Sequence, residues 1–333
     1  MKELLKTLVE IPAPSGYESQ VRNQIQEWIK PLVDEMRVDA LGNLLAVRRR
    51  ADAPRMMLVA HMDEIGLMIT HVDRQGFARF VSLGGVMPIH CVGSRVRFLN
   101  GLQGVIGVEK NSAFYEIPPL EKMFIDVGAS SAEDCPIRIG DVAVFERPFL
   151  DLGKRVVAKA MDDRVGVAVL IETLRRLEKS TFEIYFVFSV QEEVGVRGAT
   201  VAAFGVEPHF GLAIDVTATG DTPKGHRMEV QLGKGPAIKI RDAGMLADPR
   251  LIQWMVQTAE KAKIPYQREI LEFGGTDARA IQLSRSGVPA GVISIPCRYV
   301  HAPSEMVDME DVENAVKLLG RLLQTPPPIE FSS

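Results

Sequence analysis

The chain is 333 residues long, 46% hydrophobic and 25% charged. That is room for a full α/β domain and a second, smaller one, with little scope for long disorder. A formal net charge of -4 gives no support for a nucleic-acid or anionic-membrane partner, and the three widely spaced cysteines, Cys91, Cys135 and Cys297, form no CxxC pair, which argues against a disulfide framework or thiolate zinc site and fits a reducing cytoplasm.

The start, Met1-Lys2-Glu3-Leu4-Leu5-Lys6, reads as an amphipathic helix and not as an export signal. No apolar run is long enough to span a bilayer, so the expectation is a soluble cytoplasmic protein. After a break at Ile11 to Gly16, Ser15 and Glu18 have capping-box spacing, and Val21, Ile25, Trp28 and Leu32 follow at helical intervals. Val38 to Val47 reads as strand with a tight bend at Leu41-Gly42-Asn43. Arg55 to Ala60 is then an apolar strand that runs straight into His61, Asp63 and Gly66.

Between about Leu67 and Ala160 short alternating runs and glycine-rich turns replace helical periodicity, as in a small barrel- or sandwich-like β unit. Strand-helix alternation lies on both sides of it, so it reads as an insertion. The expected division is a catalytic domain in two parts, 1–66 and 159–333, interrupted by a β-rich domain at 67–158.

The α/β texture resumes at Val156 to Arg164 with a helix carrying Val165, Val169, Leu170, Leu174 and Leu177 on one face. Asp162 and Asp163 sit where acidic side chains favour a helix N-terminus, and ordinary capping is a sufficient role for one of them. The strand from Ile184 ends on Glu192-Glu193, followed by Gly195. Adjacent residues of an extended chain point to opposite sides, so the two carboxylates can take different jobs. Buried carboxylates are costly unless paired, protonated or bound to metal; a solvated pair at a strand exit is the plainer reading. Phe210 to Thr217 is again a strand, carrying Asp215. Asp248-Pro249 begins a helix to about Lys263, Gly274-Gly275-Thr276-Asp277 leads into one to about Ser286, and Ala290 to Pro296 is a strand that reaches His301. Asp308 caps a closing helix with Val312, Val316, Leu319 and Leu322 on one face, and the Pro326-Pro327-Pro328 tail is irregular.

Strand ends therefore carry His61 with Asp63, Glu192 with Glu193, Asp215 and His301, and a strand-to-helix junction carries Asp162. In an open α/β sheet, ligands bind beyond the carboxyl ends of the strands. Imidazole and carboxylate without thiolate suit two divalent ions such as zinc, cobalt or manganese. Asp63 is either a turn residue or the partner of the second nitrogen of His61. The backbone N–H groups and hydroxyl of Gly274 to Asp277 could bind substrate or a developing oxyanion, and a plain helix cap fits Thr276 equally. His71, His90, His209 and His226 have no comparable acidic company.

The segments His61-Met62-Asp63-Glu64-Ile65-Gly66, Met161-Asp162-Asp163-Arg164, Gln191-Glu192-Glu193-Val194-Gly195 with Arg197-Gly198-Ala199, Ile214-Asp215-Val216, Gly275-Thr276-Asp277-Ala278 and Arg298-Tyr299-Val300-His301 together resemble the motif set of the M42 metallo-aminopeptidases. That family includes glutamyl, deblocking and tetrahedral (TET) peptidases. The resemblance implies a three-layer α/β/α fold shared with zinc carboxypeptidases, and an inserted barrel-like β domain that assembles dimers into a hollow tetrahedral dodecamer. It implies two divalent metals, zinc or cobalt: Asp162 bridging, Glu193 and His301 completing one site, His61 and Asp215 the other. Glu192 would be the general base, Asp63 would orient His61, Gly275, Thr276 and Asp277 would face the substrate, and the Asp162–Asp163 peptide would be cis. The expected activity is removal of N-terminal residues from short peptides. The alternatives are a carboxypeptidase or N-acyl amino acid deacylase on the same scaffold, or a catalytically silent assembly protein, against which the intact ligand set counts. The segment Glu109 to Lys122, with Phe114, Tyr115 and Ile117, matches no motif of the family.

Overall fold

The strand that ends at His61 is apolar on both sides, as a central parallel strand buried under helices on each face should be. The computed structural model describes residues 1–110, 116–327 and 329 and bears this out. The chain begins with α1 (Lys2–Glu10), α2 (Ser19–Ile29), β1 (Glu35–Val38), β2 (Leu44–Arg48) and β3 (Arg55–His61). The barrel strands follow: β4 (Gly66–Val72), β5 (Ala78–Leu83), β6 (Arg95–Phe98), β7 (Gln103–Val108), β8 (Met123–Asp126) and β9 (Val142–Phe145). Next come β10 (Leu150–Asp151), β11 (Arg155–Ala158), α3 (Met161–Arg176), β12 (Glu183–Ser189), α4 (Arg197–Val206) and β13 (Phe210–Thr217). The chain closes with β14 (Ala237–Arg241), α5 (Pro249–Ala262), β15 (Gln267–Ile270), α6 (Ala278–Gln282), β16 (Ala290–Arg298), β17 (Glu305–Asp308) and α7 (Met309–Leu322).

An 11-stranded sheet runs β1-β2-β12-β3-β13-β16-β17-β11-β10, with β14 on β16 and β15 on β14. At its centre β12, β3, β13 and β16 are mutually parallel, so their carboxyl ends emerge on one rim. Strand alternation sorts their side chains into two cores. Met56, Leu58, Phe186, Phe188, Leu212, Ile214 and Ile293 pack with α1, α3, α5 and α7 on one face. Met57, Val59, Val187, Ala213 and Val292 pack with α4 and α6 on the other. The small Ala199, Ala202 and Ala203 let α4 lie close to the sheet.

The six strands β4 to β9 close into a barrel with its own core, including Leu67, Ile69, Phe80, Phe98, Ile125 and Phe145. They span Gly66 to Phe145, and β10 and β11 join the main sheet through β17. The stretch Val38 to Val47 is an antiparallel hairpin, β1 with β2, turning at Leu41-Gly42. Asp248 and Asp308 cap α5 and α7 by accepting from Arg250 N and Glu310 N. Three expectations need correction. β12 ends at Ser189, so Glu192 and Glu193 lie in the loop beyond it and not at the tip of an extended strand. Ser15 and Glu18 form no capping box, because both side chains turn inward to other partners. The helix after Asp277 ends at Gln282, short of Ser286. Within the Glu109–Lys122 segment, Phe114 and Tyr115 fall outside the described residues, as does Pro328. Among the described residues, no helix is long and apolar enough to cross a membrane, and Cys91, Cys135 and Cys297 are buried free thiols.

Candidate active site

Strand register brings the first pair of site residues together. Ala213 on β13 lies beside Val59 on β3, so two residues further on Asp215 and His61 are neighbours. Ser189, the last residue of β12, lies on the other side of His61. Asp162 arrives from the start of α3, where the Asp162–Asp163 peptide is cis and both residues are non-helical. The regular helix begins after them. Asp163 caps it, Oδ1 accepting from Gly166 N at 3.0 Å, which leaves Asp162 free to face the rim.

Asp162 is shared between two clusters. Its Oδ1 lies 3.0 Å from His61 Nε2, and its Oδ2 lies 3.3 Å from His301 Nε2. His61 Nε2 is also 3.9 Å from Asp215 Oδ1, and His301 Nε2 is 3.2 Å from Glu193 Oε2. Two triads result, His61–Asp162–Asp215 and Asp162–Glu193–His301, each with its ligand atoms within 4.8 Å of one another. Glu192 belongs to neither triad. It lines a cavity of about 920 Å³ into which both triads open, walled also by Met87, Thr217, Phe273, Gly275, Thr276 and Tyr299.

The electrostatics of this rim demand cations. Burial lifts Asp215 far above the usual carboxylate range, and the Asp162 carboxylate beside it adds to the effect. Burial together with the Asp277, Asp215 and Glu193 carboxylates likewise holds Glu192 well up, against the pull of His61. Burial would discharge His301, yet Asp162 and Glu193 outweigh it and push its pKa up to about 12. A divalent ion meets the same demand for positive charge. Glu193 Oε1 is buried with no hydrogen-bond partner, and the imidazole–carboxylate donor set matches zinc-type chemistry. The residues therefore fit metal binding.

Several residues without a sequence-derived role hold this site. Glu305, the first residue of β17, accepts from Asp162 N at 3.1 Å and from His301 N at 2.7 Å. At the barrel's edge, a Cβ on Gly85 would lie 2.4 Å from His301 Nδ1, and one on Gly84 would meet Glu193 Oε2 at 3.0 Å. These glycines keep the imidazole and carboxylate against the barrel. The adjacent Gly84-Gly85 after an alternating strand is the only mark of this in the sequence. His61 Nδ1 lies 3.1 Å from the backbone oxygen of Asp63 and 3.5 Å from its Oδ1, an orientation that presents Nε2 to the triad. The Asp63 carboxylate is taken up by Ser15 Oγ and by the N–H groups of Glu192 and Glu193. Gly275 and Thr276 reach the cavity wall, and Thr276 Oγ1 also accepts from Ala278 N at 3.3 Å. Asp277 is 2% exposed and accepts from Ser189 Oγ beneath that wall.

The pattern of the family described as M42 glutamyl aminopeptidase matches residues 42–318. A putative aminopeptidase of Acetivibrio thermocellus is 47% identical, the match covering 96% of this chain and 97% of that one. A solved aminopeptidase of the archaeon Desulfurococcus kamchatkensis superposes with a TM-score of 0.94 at 43% identity, over 98% of this chain and 95% of that one. A Pyrococcus horikoshii TET1 peptidase, which can assemble into a tetrahedron or a large octahedral shell, superposes with a TM-score of 0.89 at 35% identity, over 98% and 99% of the two chains. With the family pattern spanning both triads, the chain belongs to the M42 family of aminopeptidases, hydrolases of peptide bonds whose chemistry uses divalent metals.

Proposed function

We propose that this protein is a di-metal aminopeptidase that releases N-terminal residues from short peptides. The observation that carries the reading is the division of Asp162, whose two oxygens each serve a different imidazole. Asp162 would bridge a pair of zinc or cobalt ions, with His61 and Asp215 on one and Glu193 and His301 on the other. When bound, such a pair supplies Lewis acidity toward the scissile carbonyl and makes water a usable nucleophile near neutral pH.

The chain's own residues do the rest. Glu192 faces the cavity between the triads and is not a member of either, so its carboxylate is available to take the proton of the attacking water and return it to the leaving amine. His61 and Glu193 share their support with Glu192 through the Asp63 carboxylate. Gly275 and Thr276 offer the substrate a backbone and hydroxyl edge at the wall, while Asp277 supports that wall from below through Ser189. The barrel is the unit through which subunits would assemble, as dimers building a tetrahedral dodecamer. Its exposed Val81, Ile89, Val92 and Val105 support that role.

Free-amine, N-acetylated and C-terminally amidated forms of one peptide test the activity. The free-amine and amidated forms should be cleaved and the acetylated form spared. Cleavage of the acetylated form alone would favour a deacylase, and loss on amidation a carboxypeptidase. Metal-stripped protein reloaded with zinc or cobalt, measured by metal analysis, should take up two ions per chain.

A further inference from the structure

Beyond Ser189 the chain leaves β12, and the peptide groups of residues 190–193 need partners outside the strand ladder. Their four consecutive N–H groups all find side chains from the N-terminal segment. Val190 N donates to Asn43 Oδ1 at 3.0 Å and Gln191 N to Glu18 Oε1 at 3.0 Å. Glu192 N and Glu193 N donate to the two oxygens of Asp63 at 2.9 and 3.2 Å. The carbonyls are taken from the other side: Val190 O by Gly198 N, Gln191 O by Arg197 N, and Glu192 O by Gly195 N and Val196 N. The backbone of the loop is thus held from both sides, and Gln191 is held in the left-handed region at φ 55, which a residue with a Cβ rarely adopts.

Glu18, like Asn43, belongs to this clamp without touching either triad, and it is the one that holds Gln191. It is 4% exposed and its Oε1 also accepts from Gly16 N at 2.7 Å. A carboxylate buried beside Asp63 is an expensive choice for capping a surface helix, and α2 receives no cap from it. Its value is as a fixed acceptor: one oxygen takes both Gly16 N and Gln191 N and so ties the loop to the N-terminal segment. We infer that Glu18 is a positioning residue for Glu192: by holding Gln191 N it fixes the left-handed turn that aims the next side chain into the cavity. The inference rests on the general-base reading of Glu192.

The test measures kcat, KM, metal content and Tm for Glu18→Ala, Glu18→Asp and Glu18→Gln, and for Glu18→Ala combined with Glu192→Gln. Misplacing a reacting group by about 1 Å costs on the order of 100-fold. Glu18→Ala should therefore lower kcat about 10- to 100-fold, with KM and metal content within about twofold of the parent. Glu18→Gln, which keeps an acceptor oxygen, should recover most of the lost rate. Glu18→Asp keeps the charge and withdraws the oxygen by one methylene, so it should lose rate with little change in Tm, and it carries the test if Glu18→Ala does not fold. In the Glu192→Gln background Glu18→Ala should have no further effect on the residual rate. An undiminished kcat in folded Glu18→Asp and Glu18→Ala, or the same fold-loss in both backgrounds, would overturn the inference. Full activity in Glu192→Gln alone would instead overturn the general-base reading on which it rests.

Discussion

At the residue scale, two adjacent pairs divide their work. Asp163 caps α3 while Asp162 faces both imidazoles; Glu193 joins a triad while Glu192 lines the cavity. On the proposed general-base role, replacing Glu192 by Gln keeps the side chain's size and removes its capacity to take a proton. The expected outcome is a fall in kcat of about 10²- to 10⁴-fold, with Tm and metal content unchanged, read by steady-state kinetics on a free-amine peptide. Gly85 gives a second prediction. A methyl group there would sit 2.4 Å from His301 Nδ1, so Gly85→Ala must displace the imidazole or the barrel edge. If Asp162, Glu193 and His301 hold an ion as proposed, affinity at that triad should fall about 10- to 100-fold, while Gly205→Ala on α4, where a Cβ meets nothing within 4 Å, should bind metal normally. Equal metal titrations for the two variants would show that Gly85 has no part in seating His301.

At the element scale, a buried charge cluster fastens the first helix to the site. Glu64 accepts from Lys159 Nζ at 2.8 Å with both oxygens and from Ala13 N at 3.1 Å, and Arg164 Nη2 lies 3.5 Å away. Arg164 in turn donates to the carbonyls of Met62, Leu8 and Ile11. This joins the end of α1 to the exit of β3 and the start of α3, the two elements that carry His61 and Asp162. Glu64→Gln would leave Lys159 in the interior without its ion-pair partner, and removing one partner of such a pair costs about 3–5 kcal/mol. Denaturant unfolding should show that loss in the midpoint, whereas a change below 1 kcal/mol would mean that water reaches the cluster. Much of this scale was legible in the sequence: apolar runs leading to His61, Glu193 and Asp215 gave strands, order and rim, although β12 stops at Ser189 and both glutamates stand in the loop after it. The clamp by Glu18, Asn43 and Asp63 was not, because those side chains bond to backbone N–H groups more than 100 residues away, and such contacts leave no spacing pattern. Ser15 and Glu18 even carried a false signal, since capping-box spacing describes a local partner and both found distant ones.

At the scale of the whole molecule, the site lies where two folding units meet: both triads stand on the α/β rim, yet Gly84 and Gly85 of the barrel lie against Glu193 and His301. Bound metal should therefore stabilise the contact between the units as well as each unit. A ligand present at 100 times its Kd adds about 2.7 kcal/mol, so Tm should fall on chelation and climb with added zinc or cobalt. The assembly prediction follows from the opposite side of the barrel strands. Their inward residues, such as Phe80 and Ile106, fill the barrel core, whereas Val81 and Val105 point outward at 49% and 46% exposure, and Ile89 and Val92 are open as well. A barrel that only capped the active site would gain nothing from such side chains, while one that packs on a second copy would bury them. Native mass spectrometry should thus find oligomers for the parent chain. A double change, Ile89→Lys with Val92→Lys, should shift them to smaller species with the subunit's circular dichroism intact. If the parent chain is a monomer at micromolar concentration, or if the double variant assembles as the parent does, Ile89 and Val92 are not part of a contact between copies.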